Sequence, residues 1–147
     1  MKEPIFEVQS DRERELKAIS HFCSLFDYEF KKLDQFNIDF EITENKIPII
    51  YAEVKGRNYN IFEGNNFAVA IKKINKLAQH KNPVLVWACY DGIVFGQLKN
   101  LEGIVKWGGR KIKREKSITD QELMAYYPKQ QTLNYSYFDS NKFEKII

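Results

Sequence analysis

Tyr51-Ala52-Glu53-Val54-Lys55 is the stretch on which both the fold and the chemistry turn. In an extended strand, successive side chains point to opposite faces. Glu53 and Lys55 therefore share one face, and Ile50, Ala52 and Val54 form the other. A strand that is apolar on one side and sets a carboxylate beside an ammonium on the other is poorly explained by packing. Upstream, Phe36, Ile38, Phe40 and Ile42 alternate with Asn37, Asp39 and Glu41. That pattern predicts a strand over 36–42 with Asp39 on its polar face. The turn Glu44-Asn45-Lys46 joins it, as a hairpin, to a strand over 49–55. Paired in this way, Asp39, Glu53 and Lys55 converge.

The trio has a definite chemistry. Two carboxylates are hard oxygen ligands suited to Mg²⁺. A metal so held lowers the pKa of a bound water and stabilises charge on a phosphate. A nearby lysine orients that water or offsets the developing negative charge. Together they suit hydrolysis of a phosphodiester.

An Asp on one strand followed by Glu-x-Lys on the next resembles the PD-(D/E)XK nuclease superfamily, over roughly residues 10–90. Asn37-Ile38 stands before Asp39 where the family pattern has its nominal proline. The resemblance implies an α/β fold with an αββαβ restriction-endonuclease-like core, its mixed central sheet flanked by helices. It implies Mg²⁺, with Mn²⁺ able to substitute, held by Asp39, Glu53 and the backbone carbonyl of Val54. The family often draws a further carboxylate from its first helix. Glu15 is the candidate, because Glu13 is accounted for as a helix cap. Lys55 would position the attacking water, leaving a 5′-phosphate and a 3′-hydroxyl. Small members usually act as homodimers, and no organic cofactor is implied.

Elsewhere the periodicity predicts a compatible order of elements. Ser10 and Glu13 read as a capping box. The helix they open carries Leu16, Ile19, Cys23, Phe26, Phe30 and Leu33, and ends near Asp34. A second helix, capped by Asn65 or Asn66, carries Phe67, Ala70, Ile71, Ile74, Leu77 and Ala78, and stops at Asn82-Pro83. Val84 to Tyr90 is an unbroken apolar run, expected of a strand buried on both faces. Asp91-Gly92 turns the chain into a strand over 93–98. A short helix over 120–126, capped by Thr119 with Glu122, and a strand over 133–138 complete the reading.

At 147 residues the chain suits one domain, 1–147. Its core would lie at about 10–100, with a basic loop and C-terminal extension over 101–147. With 44% hydrophobic residues it has the material for a packed core and is not of disordered type. The net charge of +3 permits a nucleic-acid partner without demanding one. Cys23 and Cys89 sit among apolar neighbours, so buried free thiols and a cytoplasmic setting are expected. No apolar run reads as a leader or a membrane span.

Basic residues supply the candidate DNA contacts. Arg57 follows the Glu-x-Lys strand, and Lys72 and Lys76 share a helix face. Arg110, Lys111, Lys113 and Arg114 lie in the run Lys106–Lys116, which has six basic residues and one acid. As a solvated helix face Lys72 and Lys76 need no further explanation, and the run is equally readable as a solvated loop. Glu41, on the face of Asp39, is a weaker ligand candidate. His21 and Cys23, at i and i+2 of a helix, do not face each other and make a poor zinc pattern. The expected activity is thus a Mg-dependent endodeoxyribonuclease acting on DNA, and the compact chain suits a phage or other mobile element. The rival is a catalytically inactive nucleic-acid-binding or accessory protein on the same fold.

Overall fold

The computed structural model describes residues 3–33, 39–109 and 121–147, with side chains from residue 11 onward. The start of the strand expected over 36–42, Thr119 of the second expected capping box, and Arg110, Lys111, Lys113 and Arg114 lie outside the described residues.

Helix α1 runs Glu3–Phe26. It starts well before Ser10, so Ser10 to Glu13 is helix interior and not a cap. Pro4 fits this start, since an N–H in the first turn has no partner to lose. The helix also ends earlier than expected. Asp27 takes a left-handed backbone, φ 61°, and Tyr28 N–H donates to Cys23 O at 2.9 Å. This is the left-handed cap in which the second residue past the helix reaches back to the carbonyl five positions earlier. Phe30, which continued the helical spacing, instead lies in strand β1, Glu29–Lys32, edge-on to the Phe40 ring at 5.7 Å.

Strands β2 (Phe40–Glu44) and β3 (Ile47–Gly56) form the expected hairpin. Asn45 and Lys46 both have positive φ, 51° and 68°, as a two-residue turn between right-twisted strands requires. β1 pairs antiparallel with β2, and β2 with β3.

After β3 the structure departs from the expected second helix. Asn66–Ala70 is strand β4, and only Ile71–Leu77 is helix α2. Phe67 and Val69 are both buried, so a period of two governs where a helical stripe was expected. β5 (Pro83–Ala88) then pairs parallel with β3, and β6 (Gly92–Gln97) antiparallel with β5. β7 is Ile104–Gly109. The segment expected as a short helix is strand β8, Gln121–Pro128, where Ala125 and Tyr127 are buried at alternate positions. β9 (Asn134–Tyr137) fills the strand expected over 133–138, and β10 (Glu144–Lys145) pairs with it.

Two sheets result. The larger has the order β1-β2-β3-β5-β6-β9-β10, and the smaller β4-β8-β7. The fold is therefore a mixed α/β one, mostly sheet, with two helices among the described residues. α1 packs Ala18, Ile19, Phe22 and Cys23 onto one face of the large sheet, against Phe40, Ala52 and Val54 among others. The second face, with Leu85 and Trp87, is covered by Phe67, Leu77 and Tyr127 of β4, α2 and β8. β3 thus runs through the middle of the molecule, bonded on both edges and covered on both faces. Cys23 and Cys89 are buried free thiols, one in each core, as expected.

Candidate active site

Glu53 sits where this architecture makes a charge most costly. It lies on β3 opposite Leu85 of β5 and is 2% exposed. The β2–β3 register, with Phe40 opposite Ala52, puts Asp39 opposite Glu53. Two hydrogen bonds hold Asp39 in place. Its main-chain carbonyl accepts from Leu33 N–H at 3.0 Å. Its Oδ2 accepts from Val54 N–H at 2.8 Å. In a strand the N–H and C=O of one residue point to the same side. The Val54 carbonyl therefore points to the same edge of β3 as its N–H.

Three ammonium groups surround the carboxylates. Lys73 of α2 brings Nζ to 3.8 Å from Glu53 Oε2. Lys32, at the end of β1, lies 3.9 Å from Asp39 Oδ1 and 3.8 Å from Glu15 Oε1, so it bridges the two. The charge of Lys55 acts on both Glu53 and Glu15. Glu15 reaches the group because α1 lies close along β3. A Cβ built on Gly56 would fall 2.5 Å from Nη1 of Arg14, the residue before Glu15.

The neighbouring ammonium groups do not offset the effect of burial. Burial, reinforced by the charge of Asp39, pushes the Glu53 carboxyl up to about 8, against the opposing pull of Lys73 and Lys55. Burial and Asp39 likewise raise Glu15, against Lys32 and Lys55. Carboxylates held in a dry site with their acidity suppressed are ones that a further cation would relieve. Among the described residues, no three His, Cys, Asp or Glu side chains gather into a metal-holding group. The side-chain donors on offer are Asp39 and Glu53. Such a pair fits Mg²⁺, which commonly takes one or two carboxylates and keeps several waters.

The other sequence candidates fall in different places. Arg57 is half-buried, and its guanidinium donates to the carbonyls of Gly56 and Ala68. Burial lowers its pKa. Lys72 pairs with Glu122 at 3.7 Å, and Lys76 is exposed on α2. Glu41 accepts from Tyr51 Oη at 2.9 Å and meets Lys31 at 3.9 Å, away from Glu53. Lys32 and Lys73 were not singled out by the sequence reading. Nothing in the position of Lys73 on α2, beside Lys72, marks it as the partner of Glu53. Nothing in the spacing of Lys32 points to Asp39, because the β1–β2 pairing that joins them is tertiary.

No described helix is long and apolar enough to cross a membrane. A family model described as "Phage putative PDDEXK endonuclease" matches residues 1–133. No curated protein and no solved structure matches the chain.

Proposed function

The chain belongs to the phage PDDEXK endonuclease family, a branch of the PD-(D/E)XK nuclease superfamily, and from that membership we propose that it hydrolyses DNA phosphodiester bonds with a divalent metal. The observation that carries the reading is the pairing of buried Glu53 with Asp39 across the β2–β3 register, two carboxylates held beside each other with Glu53 away from water.

Asp39, Glu53 and the Val54 carbonyl would hold Mg²⁺, or Mn²⁺ in its place, with Glu15 outside the direct ligand set and tied to Asp39 through Lys32. Bound there, the ion supplies Lewis acidity to the phosphate and acidity to a water. Lys55, on the same strand face as Glu53, orients the attacking water and offsets charge on the phosphoryl oxygens. Lys73 favours the ionised form of Glu53 against the effect of burial and fixes its direction. Lys32 restrains Asp39 and Glu15 together. The products are a 5′-phosphate and a 3′-hydroxyl. Lys76, and the basic residues Arg110, Lys111, Lys113 and Arg114, supply backbone contacts whose strength falls with salt. A homodimer would set one site on each strand of a duplex.

The test is incubation of supercoiled plasmid and branched DNA with Mg²⁺ or Mn²⁺, with EDTA as control and with chemical analysis of the new ends. Nicking or linearisation that EDTA abolishes, leaving 5′-phosphates, is expected. DNA binding without cleavage under every metal condition would favour the inactive binding protein instead.

A further inference from the structure

Helix α1 carries a cation that its packing does not explain. Its buried seam is Ala18, Ile19, Phe22 and Cys23. Continued back by four residues, the same seam falls on Arg14 and Glu15, both half-buried. Here it changes from apolar to charged. Glu15 is accounted for by Lys32, 3.8 Å away. Among the described residues, no carboxylate forms an ion pair with Arg14.

The place of Arg14 is nonetheless defined. Its side chain lies over Gly56, the last residue of β3. A Cβ at position 56 would fall 2.5 Å from Nη1 and 2.9 Å from Cδ of Arg14. Any other residue there would push the guanidinium away from the strand end. Glycine thus keeps open the space that the arginine fills.

A second guanidinium lies close by. Arg57 follows Gly56 and donates to the carbonyls of Gly56 and Ala68. It too has no ion pair among the described residues. Burial lowers its pKa, and the charge of Arg14 adds to that effect. Two half-buried cations that repel each other favour an anion that meets them.

The surroundings identify that anion. Lys55 stands before Gly56, and Glu15, next to Arg14, feels the charges of Asp39 and Lys55. An anion on Arg14 is therefore beside the group of Asp39, Glu15 and Lys55, where the nuclease reading puts the DNA strand. The forked donors of a guanidinium match two oxygens of a phosphate.

We infer that Arg14 binds a backbone phosphate of the strand being cut, in the space that Gly56 leaves for it. This rests on the nuclease reading and adds a substrate-binding residue to the same site.

The experiment reads charge separately from packing. Binding of a labelled duplex to the full chain is followed by anisotropy in EDTA, over a series of salt concentrations. The native protein is compared with Arg14→Gln and Arg14→Lys. Each is assayed below its own melting temperature, so a change in stability leaves the salt dependence readable. Loss of one phosphate contact lowers the slope of log K against log salt by about 0.9. Arg14→Gln is expected to show this loss. In Mg²⁺ it is expected to raise KM on the order of tenfold, as loss of a hydrogen-bonded charge does, with a smaller fall in kcat. Arg14→Lys keeps the charge and is expected to keep the native slope. A native slope or an unchanged KM in Arg14→Gln would overturn the inference, while native cleavage would leave the nuclease reading intact. An equal loss of slope in Arg14→Lys would mean that packing and not charge was removed, and would overturn it as well. If the native protein neither binds nor cuts DNA, both readings fail together.

Discussion

The carboxylate of Asp39 accepts a hydrogen bond from the main-chain N–H of Val54, 2.8 Å away. That N–H lies between the two side chains of the Glu-x-Lys pair. The Asp is thereby fixed to the strand that carries its partners, and its charge is held beside a second, buried carboxylate. One oxygen does structural work, and the other faces Lys32 at 3.9 Å.

Asp39→Asn should separate these two roles. The amide oxygen can still accept from Val54, so the fold should survive with a small change in melting temperature. Asp39→Ala leaves the N–H without its acceptor, which costs about 1–3 kcal/mol where water cannot replace it. Both variants should lose cleavage. Thermal melts beside plasmid nicking would check this, and an Asp39→Asn that cuts like the native protein would contradict it.

The raised pKa of Glu53 makes stability depend on pH with a defined sign. Its carboxyl moves from 4.5 to about 8 on folding, so the folded state binds the proton more tightly. Its stabilising contribution is full below about 4.5 and is lost as pH rises through about 8. In EDTA, the melting temperature should therefore fall between these limits. Glu53→Gln should flatten the profile. Parallel profiles for the two proteins would remove Glu53 as the cause.

Lys73 opposes that shift, so its removal should enlarge it. In Lys73→Met, the metal-free stability loss should move to higher pH than in the native protein. Lys76→Met, an exposed change on the same helix, should leave the profile in place. The same pair of melts against pH decides the matter. A profile unmoved in Lys73→Met would mean that its ion pair with Glu53 is weak in solution.

Divalent metal should stabilise the native chain through the same carboxylates. A ligand at a hundred times its Kd adds about 2.7 kcal/mol to a site that exists only in the folded state. Mg²⁺ or Mn²⁺ at pH 8 should raise the melting temperature of the native protein. The rise should vanish in the Asp39→Asn, Glu53→Gln double variant. An equal rise in the double variant would place the metal elsewhere.

Cys23 and Cys89 should be unreactive in the folded protein. Burial pushes both thiols up to about 12, leaving almost no thiolate at pH 8. A colorimetric thiol reagent should register neither until denaturant is added.

Much of the site was legible in the sequence because it depends on local geometry. Asn45 and Lys46 sit between two alternating segments, and that alone predicts the hairpin that sets Asp39 against Glu53. The apolar run from Val84 likewise announced the buried strand β5. Errors arose where one pattern served two structures. Phe30 and Leu33 continue the spacing of α1, yet Asp27 turns the chain left-handed and ends the helix. Phe67 and Val69 fit a strand as well as a helical stripe, and pairing with β8 decided for the strand. Thr119 and Glu122 imitate a capping box, but Glu122 is on a strand and bonded to Lys72. Lys32 and Lys73 were illegible for another reason. Each meets its carboxylate only through tertiary packing, which no spacing along the chain records.

The most direct test of the central claim is nicking of supercoiled plasmid in Mg²⁺ by the native protein, Glu53→Gln and Lys55→Ala, each shown by melting to be folded. The account predicts that the native protein cuts, and that both variants lose the activity by at least about a hundredfold, as loss of a principal catalytic group does. Equal cutting by all three would place the chemistry outside the Asp39–Glu53–Lys55 site and contradict the account.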